Sequence, residues 1–486
     1  MSENKNIFEQ SSIGRLGTQL AECDVPEVDL FDVIPSEYIR KKPANLPEVS
    51  EPQVVRHYVN LSTKNHHVDK DFYPLGSCTM KYNPKINDTI ASLPGFANIH
   101  PMQSEAHSQG SLHVLYELEN LLCKITGMDS VTLQPNAGSQ GELLGILLMS
   151  KFHAMNNEKR KFILIPDTAH GTNFSSIIIG GYETQVLKTN NRGRVDINDL
   201  KSKLNKDVAG LMLTQPNTLG LFEDEIEKIS ELVHGVGGLM YMDGANLNAL
   251  VGLCQPSSMG FDIVHINLHK TFSTPHGGGG PGAGPIAVAK KLSNFLPIPK
   301  ISKRKDGRYF FHFNEEHSIG KIHSFYGNFA ILLRAYVYIL SLGDIGLKYM
   351  SRNAIINANY LKNMLYEYYE IPYSEGTLHE FVASGIKQKE KGVKVLDIAK
   401  ILLDYGFHAP TIYFPNNVPE AMMIEPTESE TKETLDRFIK VMKEINDLID
   451  LNPEKVCQSP IKTPVKRLDE TKANRNLDLK WENEFE

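Results

Sequence analysis

Short apolar runs alternate with segments of helical period between residues 161 and 290. The apolar runs are FILIPD, TQVLKT, VAGLMLTQP, GLMYMDGAN, FDIVHINLHK and GPIAVAK, and helical period covers residues 197–204 and 223–236. Such alternation is typical of βαβ units that build a mainly parallel sheet. Upstream, residues 139–152 are apolar on nearly all sides, which predicts a helix buried against that sheet.

The pattern changes on both sides of this region. Residues 329–369 are helical with few breaks, and two short strands (TIYFP and AMMIEP) and a charged amphipathic helix at 429–449 follow. The first part of the chain is rich in turn residues and has little periodicity. We therefore predict an N-terminal arm (1–75), a large α/β domain (76–342), a small α+β domain (343–453) and an extended C-terminal tail (454–486), with the boundary between the two domains near 341–348.

Composition and charge exclude several classes of protein. The formal charge is −7 and no basic stripe with interleaved aromatic residues occurs, so we expect no nucleic-acid partner. The N-terminus lacks the apolar core of a secretory signal, and the most apolar stretch, 329–342, is too short to span a bilayer. The five cysteines are odd in number and lack CxxC spacing, which argues against disulfides and structural zinc and favours a cytoplasmic protein.

Lys270 lies where an apolar strand ends and a glycine-rich stretch, PHGGGGPGAG at 275–284, begins. Ligands of open α/β sheets bind beyond the carboxyl ends of the strands, and a desolvated lysine there becomes a nucleophile that condenses with aldehydes. A lysine that extends from a strand end to solvent explains this segment alone equally well.

Three further elements favour the chemical interpretation. Asp243 closes a strand 27 residues before Lys270 and is suited to holding a pyridine nitrogen protonated, although a turn aspartate is the alternative. The turn at 138–140 opens a helix whose free N–H groups suit a phosphate, although Ser139 is also an ordinary helix cap. His170 follows the next strand and offers a flat ring for stacking, although it is also consistent with a loop histidine. Their chain order on successive strand ends predicts a pyridoxal-phosphate (PLP) site.

Two competing motifs are weaker. Gly277, Gly279 and Gly282 fit GxGxxG, but prolines interrupt the turn and an alternating apolar run follows instead of a helix, so we reject a dinucleotide site. His265 and His269 are four residues apart, but the intervening residues favour a strand and the HExxH glutamate is missing. A zinc hydrolase stays a remote alternative, and we expect no metal site.

Long motifs resemble the glycine decarboxylases, the P-proteins of the glycine cleavage system, within the aspartate-aminotransferase-like PLP enzymes. They are YPLGSCTMKYNP (73–84), NAGSQGE, DTAHGTN, MDGANLNA, NLHKTF with HGGGGPG, FYGNF and IEPTESE (424–430), and they span most of the chain. Some members of this family are one long chain with two related halves, and others are split into two subunits of which only the second carries the lysine. This chain is similar to subunit 2.

The resemblance implies a PLP-dependent transferase fold and a set of site residues. Lys270 would bind PLP covalently as a Schiff base, Asp243 would contact the pyridine nitrogen, and His170 would stack on the ring. Asn217 and Thr218 could reach the phenolic oxygen. The complete expected set is Lys270 and His170 as catalytic residues, with Lys270, Asp243, His170, Gly138, Ser139, Gln140, Asn217, Thr218 and Ala245 binding the cofactor. At His323 the family pattern leads us to expect a permanently charged basic residue instead.

The implied reaction is PLP-dependent decarboxylation of glycine, with transfer of the aminomethyl group to the lipoyl disulfide of the H-protein. The implied partners are subunit 1, with two copies of each subunit, and the lipoylated H-protein. The run Gly277–Gly280 would give a lipoyl arm room to approach or would only let the backbone pass the phosphate. Another PLP-dependent amino-acid decarboxylase is an alternative, because fold and cofactor do not fix the reaction. A non-catalytic scaffold subunit is a second alternative, against which the presence of Lys270 with Asp243 argues.

Overall fold

The computed structural model describes residues 5–18, 21–42, 44–277 and 282–479. The chain forms two compact units, one made of residues 1–66 with 464–486 and the other of residues 67–463. The predicted division into arm, large domain, small domain and tail stays a prediction. Of the run Gly277–Gly280, only Gly277 lies within the described residues.

Helices and strands are numbered here in chain order. The α-helices are α1 (Leu30–Val33), α2 (Glu51–Ser62), α3 (Lys85–Ala91), α4 (Pro94–Ala97), α5 (Gln109–Thr126), α6 (Gly138–Met155), α7 (Gly171–Ile179), α8 (Ile197–Lys203), α9 (Ile226–Gly235), α10 (Leu268–Thr271), α11 (Phe329–Leu365), α12 (Ile386–Glu390), α13 (Val395–Asp404), α14 (Lys432–Leu451), α15 (Pro453–Cys457) and α16 (Glu470–Arg475). The strands are β1 (Ser130–Thr132), β2 (Phe162–Pro166), β3 (Glu183–Leu187), β4 (Val208–Thr214), β5 (Leu239–Gly244), β6 (Ile263–Ile266), β7 (Ile286–Val288), β8 (Lys300–Lys303), β9 (Tyr309–His312), β10 (Phe381–Ser384), β11 (Thr411–Ile412) and β12 (Ala421–Ile424).

A seven-stranded sheet forms the centre of the 67–463 unit. Its strand order is β1-β7-β6-β5-β4-β2-β3. Strands β2 to β6 pair in parallel, whereas β7 is antiparallel to β6 and to β1. Every residue of β4, β5 and β6 is buried, as expected for parallel strands that are covered on both faces. The predicted mainly parallel α/β sheet is confirmed.

Alternate residues of the central strands pack into cores on opposite faces of this sheet. In β4, Leu211 and Leu213 join the core beneath α5, whereas Met212 joins the core beneath α6. The α6 helix, predicted at 139–152, lies directly on the sheet, because a Cβ added at Gly145 would overlap the Tyr241 ring. This close packing explains why the helix is apolar on nearly all sides.

A smaller antiparallel sheet with strand order β10-β12-β11 follows, and α13 and α14 pack around a core of its own. The helix α11 consists of two helical segments joined at Gly343, which has φ 60° and ψ −172°. Gly343 falls inside the predicted boundary at 341–348. This combination of a small α+β part with the large parallel sheet agrees with the predicted fold class.

Among the described residues, α11 is the helix long and apolar enough to cross a membrane by length and composition. Nevertheless, 44% of its most apolar window is buried inside the protein. Leu332, Ala335 and Ile339 before the bend and Met350 after it lie in the same core as the central sheet. The packing therefore identifies α11 as a core helix.

Candidate active site

The carboxyl edge of the parallel strands brings the principal predicted residues together. Asp243 pairs in register with Thr214 of β4 on one side and with His265 of β6 on the other. The next residues after β6 form α10, which carries Lys270. The Lys270 Nζ donates a hydrogen bond of 2.8 Å to the carbonyl oxygen of Ser77. The lysine and the aspartate thus leave neighbouring strands at the same edge.

Asp243 is almost fully buried and well supplied with donors. Its Oδ2 accepts hydrogen bonds from Asn173 Nδ2 at 2.9 Å and Thr214 Oγ1 at 3.2 Å, and its Oδ1 accepts one from the Ala245 N–H at 2.9 Å. His265 Nε2 lies 3.3 Å from Oδ1. Burial alone would raise the pKa of Asp243, but these neighbours outweigh it and hold the pKa below its ordinary value. The carboxylate is therefore ionised at neutral pH.

The predicted phosphate cradle is at the beginning of α6, and its contact with a phosphate stays a prediction. Backbone N–H groups in the first turn of a helix have no intrahelical partners and attract anions. A Cβ added at Gly138 would overlap the side-chain oxygen of Asn267, so the chain approaches the segment of Lys270 more closely than any other residue would allow. Gln140 accepts a hydrogen bond from the Asn136 N–H at 2.7 Å and donates one to the Ile322 carbonyl at 3.3 Å. These bonds hold the residues around the cradle in place.

Buried polar atoms around Lys270 provide a test of whether PLP fits. Among the described residues, Asn267 Oδ1, His269 Nδ1 and His276 Nε2 are buried without a hydrogen-bond partner. Burial lowers the pKa of His269 to about 3 and that of His276 to about 4, so both rings are neutral, and the backbone already accepts the one N–H that each ring has. Unpaired buried polar groups are costly unless a ligand or water satisfies them. A donor on a polar ligand would satisfy Asn267 Oδ1, and the free backbone N–H groups at the start of α6 suit a phosphate, so the residues at this edge fit PLP.

His170 caps α7 and lies at the solvent-exposed side of the site. Its Nδ1 is 2.8 Å from Thr172 Oγ1, which donates a hydrogen bond of 2.9 Å to Glu142 Oε1. Burial, followed by the charge of Asp243, raises the pKa of Glu142 to about 7. The sequence analysis missed Glu142, which connects the His170 loop to α6. Stacking of His170 on a cofactor stays a prediction.

Asn217 and Thr218 are buried within their own loop. The Asn217 Nδ2 donates to the Gly193 carbonyl at 2.8 Å and to Glu223 Oε1 at 3.1 Å, and its Oδ1 accepts two backbone N–H groups. The Thr218 hydroxyl donates to the Thr168 carbonyl at 2.6 Å. In this structure both side chains hold the loop, and a contact with the phenolic oxygen stays a prediction. Ala245 contributes its backbone N–H to Asp243, and its own contact with the cofactor also stays a prediction.

His323 lies beside the phosphate cradle, where the sequence pattern led us to expect a charged residue. Its Nδ1 accepts a hydrogen bond from the Phe325 N–H at 3.1 Å, so Nε2 carries the hydrogen when the ring is neutral. Nε2 lies 2.6 Å from the Asn136 amide nitrogen, and the Asn136 oxygen has no partner among the described residues. With the Asn136 amide rotated by 180°, its oxygen accepts the hydrogen bond from His323 Nε2, and the hydrogen-bond network favours this orientation.

The sequence analysis also missed the contacts on the other side of Lys270. The motif at 73–84 bends over the lysine, and two buried glutamates, Glu380 and Glu425, accept hydrogen bonds from its backbone. The family motifs YPLGSCTMKYNP and IEPTESE contain Ser77 and Glu425 and were the available signal.

Comparisons with known proteins agree with this geometry. A family model described as the glycine dehydrogenase C-terminal domain matches residues 350–463, and one described as aminotransferase class-V matches residues 144–291. The chain is similar in fold to the crystal structure of a glycine decarboxylase (P-protein) of the glycine cleavage system in inhibitor-bound form, with a TM-score of 0.72 and 21% identity over 86% of this chain and 94% of that one. A cysteine desulfurase from Thermococcus onnurineus NA1 is also similar, with a TM-score of 0.61 and 15% identity over 78% of this chain and 95% of that one. These two matches confirm the PLP-transferase fold.

Two curated relatives share much higher identity over almost the whole chain. The probable glycine dehydrogenase (decarboxylating) subunit 2 of Chloroherpeton thalassium is 57% identical over 478 residues, which cover 98% of this chain and 97% of that protein. The protein of the same name from Bacillus licheniformis is 55% identical over 477 residues, which cover 98% of each. With that identity over that length, the chain belongs to the family of glycine dehydrogenase (decarboxylating) subunit 2.

Proposed function

We propose that this chain is the cofactor-binding subunit of a glycine dehydrogenase (decarboxylating), which removes CO2 from glycine and transfers the aminomethyl group to the lipoyl disulfide of an H-protein. Family membership implies glycine decarboxylation within the glycine cleavage system, with PLP as the cofactor. The observation that carries the proposal is the position of Lys270 beside the buried, ionised Asp243 at the carboxyl edge of β5 and β6.

The residues at this edge suit the parts of PLP. Lys270 would bind it covalently, Gly138, Ser139 and Gln140 at the start of α6 would hold its phosphate, and His170 would cover its ring. Bound there, PLP supplies an electron sink for the negative charge that remains on the glycine Cα when CO2 leaves. Asn217, Thr218 and Ala245 are proposed as further contacts near the cofactor.

Two residues of the chain would control protons during the reaction. The ionised Asp243 favours a proton on the pyridine nitrogen, because an opposite charge at short range stabilises the protonated form. Burial lowers the pKa of its neighbour His265, whose Nδ1 lies 2.8 Å from Tyr241 OH. The amine of Lys270, when free, lies against the Ser77 carbonyl and is available to accept or return a proton during the reaction.

Subunit 1, with two copies of each subunit, and the lipoylated H-protein are the proposed partners. The printed name of the relatives, subunit 2, implies a partner subunit. We also propose a cytoplasmic location, because none of the five cysteines, all of which lie in the described residues, is in a disulfide, which suits a reducing compartment.

The test combines a spectrum with a trapping reaction. The chain is co-expressed with its candidate subunit 1, its visible spectrum is recorded before and after borohydride, and the reduced adduct is located by peptide mass spectrometry. Glycine-dependent CO2 exchange is measured with lipoylated H-protein. Lys270→Ala is compared with Lys290→Ala, a matched control because Lys290 is an exposed lysine close after the neighbouring strand β7.

The proposal requires an absorbance band, an adduct on Lys270 and exchange activity, all of which disappear in Lys270→Ala and persist in Lys290→Ala. A band without lipoyl-dependent exchange would indicate another PLP-dependent decarboxylase. Absence of any band would refute the cofactor assignment and favour a scaffold subunit.

A further inference from the structure

The backbone bend at 77–79 lies directly against the catalytic lysine. The Ser77 carbonyl accepts the hydrogen bond from Lys270 Nζ at 2.8 Å. Ser77 has φ 64° and Thr79 has φ 50°, although neither residue is glycine. The left-handed region is unfavourable for residues with a side chain, and most so for a β-branched one such as threonine. Surrounding contacts must therefore hold the bend in this conformation.

Two fully buried glutamates provide such contacts. Glu380 Oε2 accepts a hydrogen bond from the Ser77 N–H at 2.7 Å, and Glu425 Oε2 accepts one from the Thr79 N–H at 2.9 Å. Glu380 Oε1 also accepts from Asn246 Nδ2 at 3.2 Å. Each acid therefore binds the N–H of one of the two residues in the left-handed conformation, and the Ser77 carbonyl that receives the lysine lies between these two N–H groups along the chain.

The topology of the small sheet places the two acids side by side. Phe381 of β10 pairs with Ile424 of β12 in an antiparallel register. Glu380 immediately precedes Phe381 and Glu425 immediately follows Ile424, so they occupy opposite positions at the same end of the sheet. The rigid strand ends aim both carboxyl groups at the bend.

The pKa values of both glutamates are raised. Burial raises the pKa of Glu425 to about 7, and burial together with the charge of Glu425 raises the pKa of Glu380 well above its ordinary value. Lys270 opposes both shifts. His379 is also buried here, with its Nε2 3.7 Å from Glu380 and 4.0 Å from Glu425. Two buried acids would be costly in an ordinary core, so their position beside the bend needs a specific reason.

We propose that Glu380 and Glu425 are positioning residues for Lys270, which fix the Ser77–Thr79 bend and with it the carbonyl that holds the free lysine amine. The proposal rests on the proposed function in so far as Lys270 is the lysine that binds PLP. His379, Glu380 and Glu425 each place a potential metal-ligand atom within 4.8 Å of the others. However, one oxygen of each glutamate already accepts a backbone N–H, which favours a role in holding the bend.

Hydrogen exchange and lysine labelling test this role in the full chain assembled with subunit 1, after removal of the cofactor. Amide exchange is measured on peptides that contain residues 75–80. Acetylation of Lys270 by acetic anhydride is measured by mass spectrometry, with Lys290 as the internal reference. The variants are Glu380→Ala and Glu425→Ala, the conservative pair Glu380→Gln and Glu425→Gln, and the control Glu430→Ala. The control residue is close in sequence, its pKa is also raised to about 7 by burial, and no hydrogen bond connects its side chain to the bend among the described contacts.

We expect exchange in 75–80 to become about tenfold faster in each alanine variant, the size of effect that follows from loss of one buried hydrogen bond. Lys270 should also be acetylated faster, because its acceptor is no longer fixed. The glutamine variants keep an acceptor oxygen and should restore most of the protection, and Glu430→Ala should match the wild type. A destabilised fold would change exchange throughout the protein and would not select Lys270 over Lys290.

Unchanged exchange and labelling in folded alanine variants would overturn the proposal. If an alanine variant does not fold, Glu380→Asp and Glu425→Asp take its place, because they withdraw the acceptor by one methylene and keep the carboxyl group. Wild-type exchange in those aspartate variants would equally overturn it. Neither readout needs bound cofactor or turnover, so this inference can fail while borohydride still traps PLP on Lys270, and the reverse also holds.

Discussion

Lys81 offers a sharp test of how the site is held together. Its amine is almost fully buried and donates hydrogen bonds to Glu428 Oε1 at 2.7 Å, to Asn248 Oδ1 at 3.0 Å and to the Thr271 carbonyl at 2.8 Å. Thr271 is the residue after Lys270, and Glu428 belongs to the segment that follows β12. One ammonium group therefore joins three segments around Lys270.

Replacement of Lys81 by methionine keeps the length of the side chain and removes its charge. The carboxylate of Glu428 is then left without its partner, and breaking a buried pair in this way costs about 3–5 kcal/mol. The unfolding entropy of the unit at 67–463, taken at about 2.1 cal/mol/K per residue, is about 0.8 kcal/mol/K. The thermal midpoint should therefore fall by about 4–6 °C.

Differential scanning calorimetry of the full chain measures this change. The matched control is Lys85→Met, because Lys85 forms a 2.6 Å ion pair with Asp69 on the surface, where such pairs contribute about 1 kcal/mol or less. The double variant Lys81→Met with Glu428→Gln should recover part of the loss, since it removes the unpaired charge. A fall in Lys81→Met no larger than in Lys85→Met would refute this account of the buried pair.

Three further substitutions test the site and its loops. Gly138→Ala should weaken PLP binding in an absorbance titration by about tenfold or more, because the added Cβ would overlap Asn267. The control Gly110→Ala in α5, where the added Cβ meets no atom, should bind PLP normally. Burial raises the pKa of Glu223 to about 7, so the folded state binds the proton of this carboxyl group more tightly than the unfolded state does. The free energy of unfolding therefore decreases as the pH rises from about 4.5 to 7, by at most about 3 kcal/mol. In Glu223→Gln the unfolding midpoint should fall less over that range, and an equal fall in both proteins would contradict the shifted pKa. Asp243→Asn should bind PLP yet lose about a hundredfold in exchange activity, the usual scale for losing one preorganised electrostatic group; wild-type activity would contradict its role.

The sequence predicts those features of the fold that depend on local pattern. Runs such as VAGLMLTQP and GLMYMDGAN predict buried parallel strands, because both faces of such a sheet are covered, and the structure has β4 and β5 at these positions. Asp243 and Lys270 were found in the same way, since polar residues that end apolar strands must lie at one edge of the sheet. The helix at 139–152 followed from its uniform apolar surface and was observed as Gly138–Met155.

Such patterns do not predict which groups a side chain contacts in the folded protein. Asn217 has the right residue type and position for a cofactor contact, but only the folded loop shows that its amide already makes four hydrogen bonds there. Ser77 and Glu380 are 303 residues apart in the chain, so no periodicity connects them. Family motifs identified the segments at 73–84 and 424–430 as important without indicating that they meet.

The two sheets therefore contribute different things to one lysine. The parallel sheet supplies Lys270 itself and the ionised Asp243, whereas the strand ends of the small antiparallel sheet hold the bend that receives the free amine. Glu380 and Glu425 bind the bend through its backbone N–H groups. Their contribution is therefore the same whichever side chains occupy residues 77 and 79. Any displacement of the small sheet relative to the large one would carry the Ser77 carbonyl away from Lys270. The position of the small sheet thus bears directly on where the free lysine amine rests during the reaction.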